Sequence, residues 1–518
     1  MNFANHVERN ARTTPDRTAV ADPRRTLTYD DLRDETDAVA GGLAELGVES
    51  GDRVALFLPN SVTFVTAYLG AMKRGAIPVP INLRYEAETI RDVFDDAAPT
   101  AVFTAGELAS RLAALDPNAE HVIAAGSEEG LDYGRFVADS ERIDSSQPRR
   151  DAETAELLYT SGTTDRPKGV VHTHGNLTAN ALATIHYMRP ERDGAYLTVT
   201  PCFHAAGLNT TTTPALVHGV PVHFLPEWDP ETAAETIESE GITYTMFVPT
   251  MLRDLLDHGV AGYDLSALEW VGIGGAPMPV ELFRDAEQAL DAKLYEGYGM
   301  TETTPLSAQN RPGQDVYKPG SVGPVAGEVA EVRIEDPDTR EIVDTGETGE
   351  LLWHGDTVTP GYYNRPEKND AAFVRRDGKT WLKSGDVGHM DEDGHLFVDD
   401  RLDDMIVTGG ENVYPAAVED AIYRTDGVAE VAVVGTPHER LGECVTAIVR
   451  GDGVTDDDIV SVCRDHLSDY EIPRRVYFVE ALPRTSTRKV DKVALRERFG
   501  SGEVTEGTTA KRSRGGDS

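Results

Sequence analysis

Apolar and polar positions alternate with two different periods along the first third of the chain, which predicts strands and helices in turn. Short apolar runs typical of buried strands are separated by stretches in which apolar residues recur at helical spacing. The pattern predicts a strand, a helix, a strand, a helix and a strand at residues 53–58, 61–74, 77–81, 86–98 and 101–104. The first helix is expected to end at Gly75, since glycine commonly terminates helices. Such alternation indicates an α/β fold with crossover connections.

The pattern changes from about residue 322. Between residues 322 and 361, short apolar stretches are divided by glycine and proline, which predicts a β-rich subdomain at about 322–400. A smaller α/β unit is then expected, with a strand, a helix and a strand at 428–434, 456–467 and 475–480. The polar, glycine-rich segment 500–518 predicts a disordered tail. The expected architecture is a large N-terminal domain of α/β layers, residues 1–400, followed by a small C-terminal α/β domain, residues 404–499.

Charge is the feature of the composition that most changes this picture. The chain carries 89 acidic and 49 basic side chains, which gives a formal net charge of −40 and a pI near 4.6. Such a chain repels nucleic acid and anionic lipid, so neither is an expected partner. The acids recur throughout the sequence and arginine far outnumbers lysine, a pattern that resembles proteins of salt-accumulating halophiles. The composition therefore favours a halophilic archaeal source, and an ordinary acidic cytosolic protein is the alternative.

Length, apolar runs and cysteines bound the architecture and the compartment. A chain of 518 residues is too long for one hydrophobic core, so two or more domains are expected. No apolar run is long enough to span a membrane, and residues 1–20 lack the basic and apolar regions of a secretory signal. Cys202, Cys444 and Cys463 lie far apart, which indicates small buried residues rather than a disulfide framework. We therefore expect a cytoplasmic protein without integral membrane association.

Residues 159–170, YTSGTTDRPKGV, carry the strongest chemical signal in the chain. Glycine and small hydroxyl residues form a loop whose backbone N–H groups can surround an anion, and Arg166 and Lys168 add positive charge. The segment is not a P-loop, because Gly162 and Lys168 have the wrong spacing and Gly169 follows the lysine. Physical reasoning alone leaves two interpretations open, a phosphate-binding loop and a surface turn rich in threonine and glycine.

The same segment closely resembles the phosphate-binding loop of the adenylate-forming superfamily, which includes acyl-CoA synthetases, peptide-synthetase adenylation domains and beetle luciferases. One position departs from the family pattern, because Asp165 replaces the usual glycine and its charge should weaken ATP binding unless Mg²⁺ or salt offsets it. The resemblance implies that ATP is bound by this loop and by segments further along the chain. The implied ATP-binding residues are Thr160, Ser161, Gly162, Thr163, Thr164, Lys168, Gly275, Ala276, Pro277, Tyr298, Asp386 and Arg401.

Two further motifs resemble the family's acyl-pocket segments. PCFHAAGL resembles the segment whose histidine, here His204, borders the acyl pocket. GGAP, which begins at Gly274, resembles a turn that packs on adenine and forms one wall of the acyl site. A dinucleotide-binding fingerprint is rejected at this place, because the third glycine is absent and a proline follows.

YGMTET, at residues 298–303, resembles the segment that stacks Tyr298 on adenine. The resemblance assigns Met300 to the acyl pocket, Thr301 to the α-phosphate and Glu302 to Mg²⁺. A carboxylate suits the last task because Mg²⁺ prefers hard oxygen ligands, often one or two carboxylates together with phosphates.

The remaining motifs belong to the second half of the family pattern. KSGDVG supplies Asp386, which matches the acid that binds the ribose hydroxyls. RLDDMI resembles the segment that joins the two domains, so Arg401 would contact ribose and phosphate, and residues 401–403 would form a hinge with Asp403 as its pivot. The glycine that usually precedes the arginine is Asp400 here.

The C-terminal domain is implied to be a mobile cap that serves both halves of the reaction. Gly409 and Gly410 would line the tunnel for the pantetheine arm of CoA, where a side chain would block the thiol. PRTSTRKV resembles the closing segment of the family and supplies the catalytic Lys489, with Arg488 in place of the commoner glycine.

Together the motifs cover the chain from about residue 25 to 495 and indicate the acyl-CoA synthetase branch, similar to fatty-acid and 4-coumarate CoA ligases. The expected reaction joins a carboxylic acid to CoA through an acyl-adenylate, with ATP, Mg²⁺ and CoA as cofactors. The expected catalytic residues are Lys489, Thr301, Glu302 and His204. A monomer or a homodimer is expected.

Three alternatives remain open at this stage. The acyl group could be delivered to the phosphopantetheine of a carrier protein, the chain could be a luciferase-like oxygenase, or it could bind nucleotide without catalysis. The sequence does not define the acid either. A medium- or long-chain fatty acid is the first choice and an aryl acid similar to 4-coumarate the second.

Overall fold

The computed structural model describes residues 1–160, 166–189, 193–276, 278–314, 317–318, 320–484, 490–500 and 509–511. The chain divides into two compact units. The first comprises Met1–Val332 and Trp353–Leu382, and the second comprises Arg333–Leu352 and Lys383–Ser518. The domain limits at residues 400 and 404, and the hinge between them, stay predictions.

Helices and strands alternate along the chain, as the apolar pattern predicts. The α-helices are α1 Asn5–Thr13, α2 Tyr29–Glu45, α3 Val62–Arg74, α4 Ala87–Ala97, α5 Glu107–Leu115, α6 Tyr133–Asp139, α7 His174–Met188, α8 Thr213–His218, α9 Pro230–Glu240, α10 Pro249–His258, α11 Val280–Leu290, α12 Pro366–Ala372, α13 Pro415–Tyr423, α14 Asp456–His466 and α15 Lys492–Gly500. A π-helix spans Ala206–Thr212, and short 3₁₀ helices span Thr301–Thr303 and Leu402–Asp404.

The strands follow the same chain order. In the first part of the chain they are β1 Thr18–Ala21, β2 Thr26–Thr28, β3 Arg53–Phe57, β4 Ile77–Pro80, β5 Ala101–Ala105, β6 His121–Ala125, β7 Leu131–Asp132, β8 Thr154–Thr160, β9 Lys168–Thr173, β10 Tyr196–Thr198, β11 Val222–Phe224, β12 Tyr244–Phe247, β13 Trp270–Ile273, β14 Lys293–Gly299 and β15 Leu306–Gln309. The later ones are β16 Gly323–Pro324, β17 Ala330–Glu335, β18 Gly349–Gly355, β19 Phe373–Arg376, β20 Lys379–Met390, β21 His395–Arg401, β22 Ile406–Thr408, β23 Glu411–Val413, β24 Val428–His438, β25 Gly442–Gly451, β26 Arg475–Phe478 and β27 Thr509–Lys511.

The predicted elements near the start of the chain are confirmed, with ends that differ by a residue or less. Helix α3 begins where Ser61 accepts a hydrogen bond from the backbone N–H of Phe64 at 3.1 Å. It ends at Gly75, whose φ of 81° is a left-handed conformation that side chains disfavour. Strand β24 is longer than predicted, because it continues to His438 against β25.

An eight-stranded sheet in the order β15-β14-β13-β12-β10-β11-β1-β2 forms the centre of the first unit. Its inner strands β1, β11, β10, β12, β13 and β14 pair in parallel, and β2 and β15 are antiparallel edges. A second, parallel sheet has the order β4-β3-β5-β6-β7. Apolar side chains from both sheets and from α2 and α3 share one core that includes Leu32, Leu56, Phe64 and Tyr196. Burial of both faces explains the near-continuous apolar runs of these strands.

The second unit has its own core and its own sheet. Strands β23, β22, β25, β26 and β27 follow one another, and β24 pairs with β25. Helices α13 and α14 supply Val418, Ile422 and Ile459 to the core of this sheet. Strand β27 pairs with β26 and lies within residues 500–518, for which the sequence predicts a disordered tail. Gly500 is the last residue of α15, and residues 501–508 and 512–518 lie outside the described residues.

Candidate active site

The carboxyl ends of four parallel strands bring together motif residues that lie far apart in sequence. Strands β10, β12, β13 and β14 are consecutive neighbours in the eight-stranded sheet. His204 lies in the segment after β10, Gly274 directly follows β13 and Met300 directly follows β14. The three predicted acyl-pocket residues therefore lie along one edge of the sheet, the place where open α/β sheets bind ligands. Gly275 and Ala276 lie on the same connection, and Pro277 lies outside the described residues.

Two glycines at this edge of the sheet have neighbouring groups packed closely against them. A Cβ atom on Gly274 would lie 3.1 Å from the carbonyl oxygen of Gly297 and 3.2 Å from the terminal methyl of Met246. A Cβ atom on Gly272 would lie 3.1 Å from the hydroxyl oxygen of Tyr244. Met246 and Tyr244 therefore already occupy the space beside both glycines. The ring centroid of Tyr244 lies 3.9 Å from that of Trp270, so two buried aromatic rings pack together next to Gly272.

His204 lies two residues before the π-helix, which the sequence analysis did not predict. Its carbonyl oxygen accepts hydrogen bonds from the backbone N–H groups of Gly207 at 3.1 Å and Leu208 at 3.0 Å. A Cβ atom on Gly207 would lie 2.3 Å from the carbonyl oxygen of Thr200, so only glycine fits at the start of this helix. π-Helices are rare and occur frequently at functional sites.

The phosphate-loop motif forms an antiparallel hairpin. Strands β8 and β9 pair from Thr154↔Thr173 to Thr160↔Lys168, so both ends of the loop lie at the tip of the hairpin. The predicted ATP-binding residues Ser161, Gly162, Thr163 and Thr164, together with Asp165, lie outside the described residues. Gly169 packs against the ring of Tyr159, where an added Cβ atom would lie 3.0 Å from Cζ. Glycine at this position therefore serves the hairpin itself.

A segment from much later in the chain runs along the open edge of β9. The backbone N–H of Val171 donates to the carbonyl of Gly361 at 3.0 Å, and that of Tyr363 donates to the carbonyl of Gly169 at 2.8 Å. The hydroxyl of Thr359 also donates to the carbonyl of Val171 at 2.6 Å. These bonds bring the side chain of the residue between them, Tyr362, to Lys168 at the tip of the hairpin.

Lys168, Glu302 and Tyr362 form a compact triangle. The ammonium of Lys168 lies 3.0 Å from Oε1 of Glu302 and 2.9 Å from the hydroxyl of Tyr362. The same hydroxyl donates to Oε1 of Glu302 at 2.9 Å, and the ammonium lies 4.1 Å from the centroid of the tyrosine ring. Burial alone would raise the pKa of Glu302, but Lys168 and the hydrogen bonds more than offset it and hold the pKa below its ordinary value. The carboxylate is therefore ionised at neutral pH.

Glu302 fits a site for a hard divalent cation that is shared with a ligand. The ionised carboxylate is a hard oxygen donor. Among the described residues there is no group of three or more histidine, cysteine, aspartate or glutamate side chains that could hold a metal ion.

Behind the triangle lies a buried network that the sequence analysis missed. Oε1 of Glu156 lies 2.7 Å from Nδ1 of His172 and accepts from Nδ2 of Asn209 at 2.8 Å. Oε2 of Glu156 accepts from the hydroxyl of Tyr68 at 2.6 Å. Nε2 of His172 lies 2.6 Å from the carbonyl oxygen of Thr301. The only sequence signal was a charged residue in the middle of an apolar strand, TAELLYT.

In the second unit, the structure brings together the two residues predicted to bind ribose. Asp386 and Arg401 are directly opposite in the β20–β21 ladder. The guanidinium of Arg401 lies 2.8 Å from Oδ1 of Asp386, and the arginine side chain is half exposed. A buried carboxylate beside an accessible guanidinium can bind both hydroxyl and phosphate groups of a nucleotide.

Asp400, the departure from the family pattern, has a structural role. Its Oδ2 accepts a hydrogen bond from the backbone N–H of Ala416 at 2.9 Å, at the first turn of α13. Burial raises the pKa of Asp400 above its ordinary value, although the nearby Lys492 opposes the shift. The carboxyl group therefore ties the segment before the predicted hinge to a helix after it.

The other residues that the sequence assigns to this unit lie in a short helix, in a turn or outside the described residues. Asp403 lies inside the 3₁₀ helix Leu402–Asp404. Gly409 and Gly410 form the turn between β22 and β23 with φ of 64° and 93°, which explains why both are glycine. Arg488 and Lys489 lie outside the described residues.

Two predicted ATP-binding residues remain. The ring of Tyr298, in β14, stacks near that of Trp353, with the centroids 5.7 Å apart. Thr160, at the end of β8, has a buried hydroxyl without a hydrogen-bond partner among the described atoms.

In the part of the chain that the structure describes, no helix is both long enough and apolar enough to cross a membrane.

Comparison with known proteins gives the same family for sequence and for structure. The model of the AMP-binding enzyme family matches residues 7–363, and that of the AMP-binding enzyme C-terminal domain matches residues 417–489. The chain is 37% identical over 499 residues to a feruloyl-CoA synthase of Amycolatopsis, covering 95% of this chain and 98% of that protein. It is 34% identical over 486 residues to the long-chain-fatty-acid–CoA ligase FadD13 of Mycobacterium tuberculosis, covering 91% and 93%. The structure of ATP-bound MatB from Rhodopseudomonas palustris superposes with a TM-score of 0.88 at 30% identity, covering 96% and 99%.

Proposed function

This chain belongs to the AMP-binding enzyme family as an AMP-forming acid–CoA ligase, and from that premise we propose how its residues divide the reaction and which acid it takes. In the first half-reaction a carboxylate oxygen attacks the α-phosphorus of ATP, the bond to the β-phosphate breaks, and pyrophosphate leaves. In the second half-reaction the sulfur of CoA attacks the acyl carbon, the thiol proton is lost and AMP leaves. ATP and CoA are thus both required.

The arrangement of Lys168, Glu302 and Tyr362 is the observation that carries the assignment of the first half-reaction. An anion attacking a polyanion needs charge neutralisation and alignment more than it needs a base. Lys168 supplies a fixed positive charge at the tip of the hairpin. Thr301 and the loop residue Thr163 would contact the phosphates, and Lys489 would complete the neutralisation from the C-terminal domain.

We assign Mg²⁺ to Glu302. The ion would neutralise phosphate charge, and Glu302 would hold it with one ionised carboxylate while the nucleotide supplies the other ligands. In a protein of net charge −40, such local positive charge is a physical requirement for binding ATP and CoA.

We further propose that the acid is compact and carries an aromatic ring. Gly272 and Gly274 carry no side chain, which suits a planar group next to Gly274, and Met246 fills the space beside both glycines. The rings of Tyr244 and Trp270 pack together behind Gly272 and provide aromatic surroundings. Among the relatives, a feruloyl-CoA synthase and an indoleacetate–CoA ligase carry names of aromatic acids. These observations support the proposal of an aryl acid over the medium- or long-chain fatty acid that the sequence ranks first.

A panel of acids tests both proposals. Benzoate, cinnamate, 4-coumarate, octanoate and palmitate are each incubated with ATP, Mg²⁺ and CoA, and AMP, pyrophosphate and the thioester are measured. Aryl acids are expected to give the highest kcat/KM, and Met246→Ala is expected to raise the relative rate with the longer chains. Absence of pyrophosphate release with every acid would exclude the ligase function, whereas preference for palmitate would exclude only the aryl proposal.

The role of Lys489 is tested by separating the half-reactions. Lys489→Ala is expected to lower pyrophosphate release by orders of magnitude, while CoA transfer from a supplied acyl-adenylate continues. Equal loss in both half-reactions would show that the assigned role is wrong. A cytoplasmic location, a halophilic source and a monomeric or homodimeric state complete the proposal and rest on the sequence alone.

A further inference from the structure

Glu156 and His172 form a hydrogen-bonded pair inside the first unit, away from the surface. Neither side chain has any exposed area, and their atoms are 2.7 Å apart. A buried pair of this kind adds little net stability compared with apolar residues of the same volume. Stability alone therefore does not account for its presence beside the candidate active site.

The hydrogen-bond partners define where the protons lie. The carbonyl of Thr301 can only accept, so Nε2 of His172 must carry a hydrogen. The carboxyl group of Glu156 is approached by the hydroxyl of Tyr68 and the amide of Asn209, which both donate. Glu156 therefore holds Nδ1 of His172 on one side of the ring, while Nε2 donates to the Thr301 carbonyl on the other.

The bond to Thr301 matters because it fixes one side of Glu302. The Thr301 carbonyl belongs to the peptide group that precedes Glu302, and His172 holds it at 2.6 Å. The carbonyl of Glu302 itself accepts from the backbone N–H of Thr359 at 2.8 Å. Both peptide groups that flank Glu302 are therefore held in place, independently of the bonds that Lys168 and Tyr362 make to its carboxylate.

Strand β9 supplies two of these contacts. Lys168 and His172 are four residues apart on one strand, so both side chains point to the same face. One contacts the carboxylate of Glu302 and the other the peptide group before it. The same network reaches the π-helix through Asn209, whose carbonyl accepts from Nδ2 of Asn180 at 2.7 Å. The pair therefore lies between the segment after His204 and the segment of Thr301.

We propose that His172, held by Glu156, is a positioning residue that aligns Thr301 and Glu302 for adenylate formation. The inference rests on the reaction proposed above. It concerns alignment, so loss of the contact is expected to lower the rate of the first half-reaction more than the affinity for nucleotide. A displacement of about 1 Å at a reacting group can cost about a hundredfold in rate.

Two substitutions at His172 give the direct test. His172→Leu removes both hydrogen bonds, whereas the amide of His172→Gln can still donate to the Thr301 carbonyl. We expect kcat for acid-dependent pyrophosphate release to fall at least about thirtyfold in His172→Leu and to recover by about tenfold in His172→Gln. AMP affinity by calorimetry, and CoA transfer from a supplied acyl-adenylate, should each change by less than about threefold.

A matched pair of tyrosine substitutions controls for the loss of a buried hydrogen bond. Tyr68 donates to Glu156 at 2.6 Å, and Tyr133 donates to Glu35 at 2.6 Å in a different part of the core. Tyr68→Phe and Tyr133→Phe should lower the thermal midpoint by similar amounts, since they remove the same group from buried sites. Only Tyr68→Phe should lower pyrophosphate release.

A double substitution shows whether Tyr68 acts through His172. If it does, adding Tyr68→Phe to His172→Leu should leave kcat at the value of His172→Leu alone, because the two effects are not additive. Equal kcat losses in the Phe variants of Tyr68 and Tyr133 would overturn the proposal. So would parallel losses in both half-reactions, or no recovery in His172→Gln. All of these comparisons require that the wild-type enzyme releases pyrophosphate. An inactive wild type would contradict the ligase function itself, whereas an active wild type with any of the outcomes above would contradict only the role of His172.

Discussion

Glu302 carries a negative charge although only 5% of its surface is exposed, so the groups around it determine its properties. Lys168 supplies the compensating charge, and Tyr362 supplies a hydroxyl on the same oxygen. The carboxylate is therefore kept ionised and fixed in place before any ligand binds. A site of this kind binds cations and phosphates without reorganising its own charge.

Replacing Lys168 tests this dependence. The lowered pKa of Glu302 contributes stability that is present above its unfolded value of 4.5 and is lost as pH falls through the folded value. Lys168→Met removes the largest influence that opposes burial, so the pKa of Glu302 rises and this dependence on pH weakens. We expect a loss of about 1.5–3 kcal/mol at pH 7 that becomes smaller at pH 5. Urea unfolding at both values measures it. Lys168→Arg keeps the charge and should stay close to the wild type, and an unchanged Lys168→Met would contradict the account.

His174 gives a second pH dependence, at the N-terminal end of α7. Its Nδ1 accepts from the backbone N–H of Phe3 at 3.2 Å, which requires an unprotonated nitrogen. Burial, and then the positive chain terminus and Arg149, lower the pKa of His174 from 6.5 to about 4. Its contribution to stability is therefore complete above pH 6.5 and is lost as pH falls toward 4.

We expect His174→Asn to flatten the fall in unfolding free energy between pH 6.5 and 5 by about 2 kcal/mol, since one pKa unit corresponds to about 1.4 kcal/mol. Asparagine can still accept the bond from Phe3. The control is His186→Asn, because His186 is largely exposed and its replacement should leave the slope unchanged. An equal slope in the wild type and in His174→Asn would show that His174 does not titrate in this range.

At the residue scale, local motifs were the source of the site predictions. Lys168, Glu302, Asp386 and Arg401 were all singled out, and the structure joins them in two ion pairs. Tyr362 was missed because it reaches Lys168 across 194 positions of sequence, and no local pattern records such a contact.

Elements were predicted most closely where start and stop signals are local. Helix α3 begins after the capping residue Ser61 and ends at Gly75, which has a left-handed backbone conformation. Serine and glycine are common at these two positions, so the sequence itself indicates both ends of the helix. The π-helix at Ala206–Thr212 was not predictable, since its single unusual turn depends on close packing of Gly207 against Thr200. The sequence predicted a loop at the β8–β9 hairpin. It did not predict that residues 359–363, from a distant part of the chain, form hydrogen bonds along the open edge of β9.

The proposed hinge is a prediction about a connection between elements. Asp403 lies in a 3₁₀ turn between β21 and β22, and the family resemblance makes it the pivot between the two half-reactions. Proline fixes φ near −65° and removes the N–H donor, so it can exclude one conformation without changing an active-site contact. Asp403→Pro is expected to retain pyrophosphate release and to lose thioester formation.

Asp403→Ala is the matched control, because alanine removes the same carboxylate but leaves φ free. It should damage thioester formation much less than Asp403→Pro does. Both half-reactions are measured separately for each variant. Equal activity of Asp403→Pro in both would show that this residue is not the pivot.

At the scale of the whole molecule, the apolar pattern predicted the α/β class but not the order of the strands. Strand β10 pairs with both β11 and β12, whereas β1 joins the same sheet from the start of the chain. The strand order depends on contacts between residues that are far apart in sequence, and the local periodicity of apolar residues does not indicate which strands become neighbours. The strand order brings His204, Gly274 and Met300 to one edge of the sheet. Only the family resemblance had assigned these three residues to a common pocket, because physical reasoning alone could not predict the strand order.

The distribution of charge is also a property of the whole molecule. In the described part of the chain, the buried acidic residues are Glu156, Glu296, Glu302, Glu335, Glu350 and Asp386. The other acids among the described residues lie at least partly at the surface. The whole chain carries a net charge of −40. Their mutual repulsion opposes the compact state, and it extends further as salt is removed. The screening length is about 3 Å at 1 M salt and about 10 Å at 0.1 M.

Thermal unfolding across a KCl series from 0.1 M to molar concentration should therefore show a midpoint that rises with salt. Sucrose at matched osmolality is the control, because it is excluded from protein surfaces but does not screen charge. If charge repulsion is the cause, KCl should raise the midpoint well beyond sucrose, and most of the rise should come while the screening length is still shrinking. Pyrophosphate release should rise over the same range, since ATP must approach a strongly negative molecule. A midpoint that does not change with KCl, or that sucrose raises equally, would exclude adaptation to high salt and leave an ordinary acidic protein.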